Sequence, residues 1–212
     1  QFFAQLPACT VAMEACATSH YWGRELIALG HNVKLIPPQH VKPMVQGNKN
    51  DYNDACAIAE TVNRPKITFV AVKTTEEHDM QAIHRMRSQC LRDRTALSNS
   101  TRGLLGEYGI SFSKGLTVLR SKIPELLEDA DNGLSLRFRN LLARRYEQLV
   151  EIDEHIVFYT KELKLLSKQD DACERLQTIP GFGPIVASAF RSTIGDGRAY
   201  VRGRHAAASL GL

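Results

Sequence analysis

Two periods of hydrophobic and polar positions run along the chain, and the change from one to the other divides it. Thr10-Val11-Ala12-Met13 is a short apolar strand that ends at Glu14. A helix is expected from about Ser19 to Leu29, stopped by Gly30, because glycine accepts the left-handed conformation that closes helices. Asn32-Val33-Lys34-Leu35-Ile36 alternates with period two and is a second strand, ended by Pro37-Pro38. A second helix is expected from Asp51 to about Asn63, and Ile67 to Val72 is a third strand or an extended exit. Strand, helix, strand, helix over residues 1–73 predicts a layered α/β unit with helices covering a sheet.

From residue 74 to 168 the period becomes helical almost throughout. Ile83, Cys90, Leu97 and Leu104 recur every seven residues, and a break follows at Gly103, Gly106, Gly109 and Gly115. Pro124 is expected to open a short helix over about 124–130. A long helix then runs from about Leu134 to Ser167. Its stripe is Phe138, Leu142, Arg145, Leu149, Ile152, Ile156, Tyr159, Leu163 and Leu166, spaced four and three in turn, which is a coiled-coil seam. The two long helices are expected to pair antiparallel, within one chain or across a dimer. Residues 169–212 make a third unit: a helix from Ala172 to Gln177, the turn Ile179-Pro180-Gly181-Phe182-Gly183-Pro184, and a helix from about Ile185 to Ile194 ended by Gly195 and Gly197.

Composition adds bounds. A chain of 212 residues that is 43% hydrophobic can build one good core or two modest domains with a spacer. The net charge of +4 and pI near 8.8 suit a polyanionic partner, though many metabolic enzymes share them. The local concentration Arg191, Arg198, Arg202, Arg204 and His205 says more. Five widely spaced cysteines without C-x-x-C argue against a disulfide framework and a zinc site, and reduced thiols fit a cytoplasmic protein. No apolar run has the length of a membrane span, and no signal peptide opens the chain. An opening without Met and an apolar close at Ser209-Leu210-Gly211-Leu212 are what a fragment would show.

The chemistry-bearing residues are acidic. Asp51 and Asp54 share a helix face, and the apolar stripe Ala55, Ile58, Ala59 and Val62, carried back one turn, has Asp51 near its centre and Asp54 at its edge. Carboxylates aimed at a core need a compensating charge, and hard oxygen donors suit Mg²⁺ or Mn²⁺. The plainer alternative makes Asp51 a helix N-cap, places Asp54 in the favourable field of the helix dipole, and lets Lys49 neutralise one of them. Glu14 stands at the end of an apolar strand, where α/β folds place chemistry, or it is a solvated strand-end carboxylate. Together Glu14, Asp51 and Asp54 form a three-carboxylate set of the type that binds metal ions at phosphate.

The Gly181-Phe182-Gly183 turn between two helices can bring backbone N–H groups to a phosphate, in the manner of a helix–hairpin–helix, or it is a simple helix–helix turn. Arg198, Arg202 and Arg204 favour DNA contact, although terminal basic residues are commonly just solvated. His20, Tyr21 and Trp22 could stack a base, but burial on their helix is the favoured expectation.

Val-Ala-Met-Glu-Ala (11–15), Lys-Asn-Asp-Tyr-Asn-Asp-Ala (49–55), Leu-Glu-Asp-Ala-Asp-Asn-Gly (127–133), Ile-Pro-Gly-Phe-Gly-Pro (179–184), Ile-Gly-Asp-Gly-Arg (194–198) and Ala-Ala-Ser-Leu-Gly-Leu (207–212) occur in that order. This ordered set resembles the DEDD-type insertion-sequence transposases, relatives of the Piv DNA invertases, over essentially the whole chain. The resemblance implies a RuvC-like, RNase H-type domain truncated at 1–73, a coiled-coil spacer at 74–168, and the helix–hairpin–helix-like start of a transposase domain at 169–212. It implies that Glu14, Asp51 and Asp54 are the last three of an Asp-Glu-Asp-Asp tetrad whose first Asp precedes this chain. It further implies a serine nucleophile beyond Leu212, an Mg²⁺ or Mn²⁺ cofactor, DNA and a guide (bridge) RNA as partners, and a homo-oligomer joined through the coiled coil. A RuvC-like junction nuclease using metal-activated water, and a non-catalytic DNA-binding coiled-coil protein, are the competing readings. The chain by itself is expected to be inactive.

Overall fold

A computed structural model describes every residue except Lys49, Ala199 and Leu212. It divides into two compact units, one of residues 1–79 with 190–212 and one of residues 80–189.

The first unit holds the sheet. β1 (Thr10–Glu14) and β2 (Asn32–Ile36) pair in parallel, with Thr10 opposite Asn32 and Glu14 opposite Ile36. Both spans agree with the expected strands. Parallel pairing requires a crossover, and α1 (Ser19–Ala28) supplies it. Gly30 follows at φ +88°, the left-handed turn that the sequence suggested. The segment 67–72 is the extended exit and not a full strand; it touches the sheet through one antiparallel bridge, Val70 to Leu35. α2 (Pro38–Val41), a 3-10 turn at Lys42–Met44 and α3 (Asp51–Val62) return the chain over the sheet. Ile36, Val41 and Ala57 form the buried centre there, with Ala12, Ile58, Val62 and Phe69 against it.

α1 turns its small residues inward. Ser19, Gly23 and Leu26 are buried, and a Cβ on Gly23 would stand 3.0 Å from both methyls of Val72. The expected burial of the aromatic run is therefore overturned for Tyr21 and Trp22. Tyr21 and Trp22 are 50% and 53% exposed, because close helix packing uses the glycine side and the rings lie off it. His20 is half-buried, accepts from the Lys73 backbone N–H at 3.2 Å, and lies edge-on to His78.

The second unit is a helical hairpin with additions. α4 (Thr75–Gly106) starts in the first unit and continues into the second; α5 (Leu116–Glu128), α6 (Leu136–Gln169), α7 (Asp171–Gln177) and most of α8 (Pro184–Ile194) follow. α4 begins at a capping box: the Glu77 N–H donates to the Thr74 hydroxyl and the Thr74 N–H to the Glu77 carboxylate, both at 3.2 Å. α4 and α6 run antiparallel within the chain. Arg87 Nε donates to Thr160 Oγ1 at 2.7 Å, Arg94 Nη1 to Asp153 at 3.0 Å, and Arg145 Nη1 to Ser100 Oγ at 3.1 Å. Every member of the α6 stripe is buried or half-buried.

The α4 stripe differs from expectation. Leu97 is buried and Ile83 and Cys90 are half-buried, but Leu104 is exposed, and the covered positions also include Met80, His84, Arg87, Leu91, Arg94, Ser98, Thr101 and Leu105. Five of these last eight are polar or charged, so hydrophobic residues alone could not reveal the phase of the seam. α5 also starts earlier than Pro124 suggests. Gly115 precedes its first turn, and Pro124 lies inside the helix. Leu119 and Ile123 before the proline, and Leu126 and Leu127 after it, pack into one core with Leu97, Leu105, Phe138 and Leu142. That shared burial offsets the lost N–H.

Residues 129–135 form the turn between α5 and α6, with Gly133 at φ +74°. Arg139 closes it, donating to the carbonyls of Leu126, Leu127, Asp129 and Leu134 and to the Asn132 side chain. The structural role of this segment toward Arg139 lies in its backbone carbonyls and Asn132, not in its acidic side chains. A final helix, α9 (Gly203–Ser209), was not expected.

Candidate metal centre and nucleic-acid interface

Glu14 ends β1, where the backbone turns out of the sheet. The Ala15 N–H donates to the Ile36 carbonyl and the Cys16 N–H to the Glu14 carbonyl, each at 2.8 Å. The Glu14 side chain is half-buried and has no hydrogen-bond or ion-pair partner among the described residues. Its position is set by the parallel register, which holds it beside buried Ile36.

Asp51 and Asp54 occupy the first turn of α3. The cap itself is Asn50, whose side chain accepts from the Asn53 N–H at 2.8 Å, so the N-cap alternative for Asp51 is corrected. The two aspartates also exchange the places expected from the sequence. The inward face of α3 is Asp54, Ala57, Ile58, Thr61 and Val62; Ala55 and Ala59 are exposed. Asp54 is half-buried and extends this face by one turn, whereas Asp51 lies at its edge and is exposed. The Thr61 hydroxyl made the difference. It is buried because it donates to the Ala57 carbonyl at 2.6 Å, which lets a polar residue hold a core position. Lys49, the proposed neutralising cation, lies outside the described residues.

α3 packs against β1, so the helix with the two aspartates lies on the strand that ends in Glu14. In donor chemistry the three carboxylates suit a hard divalent cation. They do not make a closed centre in this structure: among the described residues, no group of three or more His, Cys, Asp or Glu side chains is placed to hold a metal ion.

In the second unit, α7, a turn and α8 form the helix–turn–helix seen in the sequence. Asp170 caps α7 through the Cys173 N–H at 2.9 Å. The Phe182 N–H donates to the Ile179 carbonyl at 3.0 Å, and Gly181 takes φ +89°, which a side chain would resist. Gly183 has ordinary φ and open space where a Cβ would stand, so it leaves the turn surface clear. Pro184 at the first helical position loses no hydrogen bond there. Gly181 and Gly183 are exposed and Phe182 is half-buried.

The basic residues near the C-terminus belong to the first unit. Arg198 is exposed and reaches Asp196 at 3.5 Å, while its N–H closes a turn on the same carboxylate at 3.0 Å. Arg202 and Arg204 are exposed at the start of α9 without an ion-pair partner among the described residues. Arg191 is engaged instead, bound to Glu77 at 2.5 Å with both side chains largely covered.

One polar pair escaped the sequence reading. His84 Nε2 lies 3.0 Å from the Oγ of buried Ser188, more than one hundred residues away in the chain. Burial, with the Arg87 charge nearby, holds His84 below the ordinary imidazole pKa. Nothing in the local sequence of either residue signals this pairing. Among the described residues, no helix is long and apolar enough to cross a membrane, and all five cysteines are free thiols.

Comparison with known proteins agrees with the order of these motifs. The DEDD transposase family of the IS110 type, described as "Transposase", matches residues 2–110, and the "Transposase IS116/IS110/IS902 family" matches residues 173–212. A Pseudomonas aeruginosa protein named "Probable family 20 transposase" is 42% identical over all of this chain and 63% of its own length. The "Transposase for insertion sequence element IS1111A" of Coxiella burnetii is 40% identical over 99% of this chain and 57% of its own length. That of IS1328 from Yersinia enterocolitica is 40% identical over 100% of this chain and 63% of its own length. The chain thus spans about three fifths of the length of these relatives.

Proposed function

From the premise that this chain belongs to the IS110-type DEDD transposase family, we propose that its full-length protein moves an insertion sequence by cutting and rejoining DNA. The observation that carries this reading is the pairing of Glu14, at the end of a parallel strand, with a D-x-x-D helix packed on that strand, in a chain of this family. Glu14, Asp51 and Asp54, with a further Asp before residue 1, would hold Mg²⁺ or Mn²⁺. Such an ion would neutralise charge on the phosphate under attack. Asp54, continuing the buried face of α3, would be the better-anchored of the two aspartates.

The covalent step is assigned to a serine beyond residue 212. Its Oγ would bond to the scissile phosphorus as the DNA strand leaves with a free hydroxyl. The hydroxyl of a second DNA end would then attack the phosphoserine, restoring the serine and sealing the new strand. Within this chain, Gly181, Phe182 and Gly183 would approach the DNA backbone, and Arg198, Arg202 and Arg204 would add sequence-independent attraction. A guide RNA would supply sequence choice by base pairing, and a homo-oligomer would bring the acidic site of one protomer to the serine of another.

The test uses the full-length protein in a strand-transfer assay with a trap for the protein–DNA adduct. Glu14→Gln and Asp54→Asn should each abolish transfer while DNA retention persists, and the adduct should map to a serine. Cleavage without any adduct would favour a junction nuclease that uses water. Unchanged transfer in both variants would favour the non-catalytic scaffold and overturn the reading.

A further inference from the structure

The seam of α6 is filled by α4 and α5, yet α6 carries a second apolar stripe on its opposite side. Val150, Val157, Phe158 and Leu165 are 38%, 67%, 56% and 50% exposed. With the helical rotation of about 100° per residue, these four and the residues Glu154 and Lys161 fall within about 100° of the circumference. Around them stand exposed Glu147, Glu151 and Glu154 toward the N-terminal half and exposed Lys161, Lys164 and Lys168 toward the C-terminal half.

The charges are arranged with two-fold symmetry. Glu154 and Lys161, Glu151 and Lys164, and Glu147 and Lys168 are each centred on the same point of the helix, between Val157 and Phe158. Val150 and Leu165 are centred there as well. A second α6 laid antiparallel across that point sets each glutamate against a lysine and each apolar residue against an apolar one. A parallel neighbour would instead set Glu151 and Glu154 against themselves, and Lys161 and Lys164 likewise. Among the described residues, Glu147 alone of the six charged side chains has an ion-pair partner within the chain, the exposed Arg144 at 3.1 Å. The acidic half of the face also repels a nucleic-acid backbone.

We propose that this outer face of α6 is covered by a second copy of this chain, in an antiparallel contact with its two-fold axis between Val157 and Phe158. The contact takes the oligomer from the reading above and gives it a surface, but it depends on no catalytic step. It also moves the interface away from the seam first expected to join protomers, because α4 already occupies that seam.

The experiment is sedimentation of the 212-residue chain at about 0.1 M and about 1 M salt, across which the Debye length falls from about 10 to about 3 Å. The chain should be dimeric at the lower salt and weaken at the higher. Glu154→Lys and Lys161→Glu each replace two symmetry-related attractions by repulsions and should weaken dimerisation by about tenfold or more. The double variant exchanges the charges and should restore the dimer. Carbodiimide coupling of isotopically light and heavy copies should join Glu151 to Lys164 between chains. Circular dichroism of each variant should match the parent, since all these side chains are exposed.

A monomer at low salt overturns the proposal. So does a dimer that ignores both single reversals, or single variants that weaken it without rescue by the double. A monomer whose retention on DNA falls with Lys161→Glu makes nucleic acid the occupant and overturns it too. Strand transfer is measured separately, so failure here leaves the catalytic reading standing, and the reverse.

Discussion

Asp153 is the point at which the α4–α6 pairing can be weighed. Its carboxylate is 15% exposed and faces two guanidinium groups, Arg94 at 3.0 Å from α4 and Arg120 from α5. Asp153→Asn removes the only negative charge of this trio and leaves two cations side by side, with an amide N–H₂ directed at one of them. Breaking a fully buried pair costs about 3–5 kcal/mol, and an exposed pair contributes about 0.2–1 kcal/mol. Arg94 and Arg120 are 26% and 39% exposed, so the site lies between these limits, at about 2 kcal/mol. With a urea slope of about 1–3 kcal/mol/M, the unfolding midpoint of the helical unit should fall by about 1 M. The assay is urea unfolding followed by circular dichroism, repeated with Arg94→Met and with the double variant. The cycle should return a coupling of about 1 kcal/mol between residues 59 apart in the chain, and it should not vary with protein concentration. A midpoint shift under a quarter of that expected, absent coupling, or coupling that grows with concentration would refute the intrachain hairpin.

Three other outcomes follow from the structure. His84 is held below the ordinary imidazole value of 6.5, mainly by desolvation and then by Arg87; its stabilising contribution is complete above pH 6.5 and is lost as pH falls from there through the lowered folded value, because the unfolded chain takes up the proton first. Thermal unfolding of the parent should therefore fall more steeply over that range than that of His84→Gln, which keeps a partner for Ser188; parallel pH profiles would refute it. Gly23→Val places branched carbons where a Cβ already stands 3.0 Å from Val72, so it should destabilise the first unit by about 1–3 kcal/mol in denaturant unfolding, while Gly103→Val, which has open space at its Cβ, loses no packing. Gly181→Ala meets no neighbour but must adopt φ +89°, and it should cost about 1 kcal/mol in the helical unit, read by the same unfolding; an unchanged midpoint would remove the conformational reason for glycine in that turn.

The strands and helices were legible wherever the buried face was apolar. β1, β2 and α6 have mainly apolar stripes, interrupted in α6 by Arg145, and their spans came out within two residues. Reading failed where a polar residue occupies an inward position. Thr61 holds the core of α3 through a hydrogen bond to its own helix, and counting only apolar positions moved the stripe by a residue and exchanged the roles of Asp51 and Asp54. The α4 seam failed in the same way: Arg87 and Arg94 find partners too far along the chain for a local window to see, and Ser98 and Thr101 are satisfied by carbonyls one turn back on their own helix. Trp22 was misjudged because Gly23 beside it supplies the packing surface. The candidate acidic residues were legible as residues; their meeting around an ion was not, and in this structure fewer than three of them come together.

The polar seam of α4 also bears on how the chain can assemble. An all-apolar seam on both helices would tolerate a slip by one heptad or exchange with another copy. Here a slip of seven residues would take Arg94 from Asp153 to Tyr146 in one direction or Thr160 in the other, and its half-buried guanidinium would lose its carboxylate. Arg87 would lose Thr160 in the same movement. One register therefore satisfies these groups together, and it is reached between helices joined by a short turn and α5 in the same chain. Once α6 is committed inward to α4, the apolar residues it has left lie on the outer face, among charges that complement themselves only when a second helix runs the other way. Specificity in the inner seam is thus what makes the outer face available to a partner.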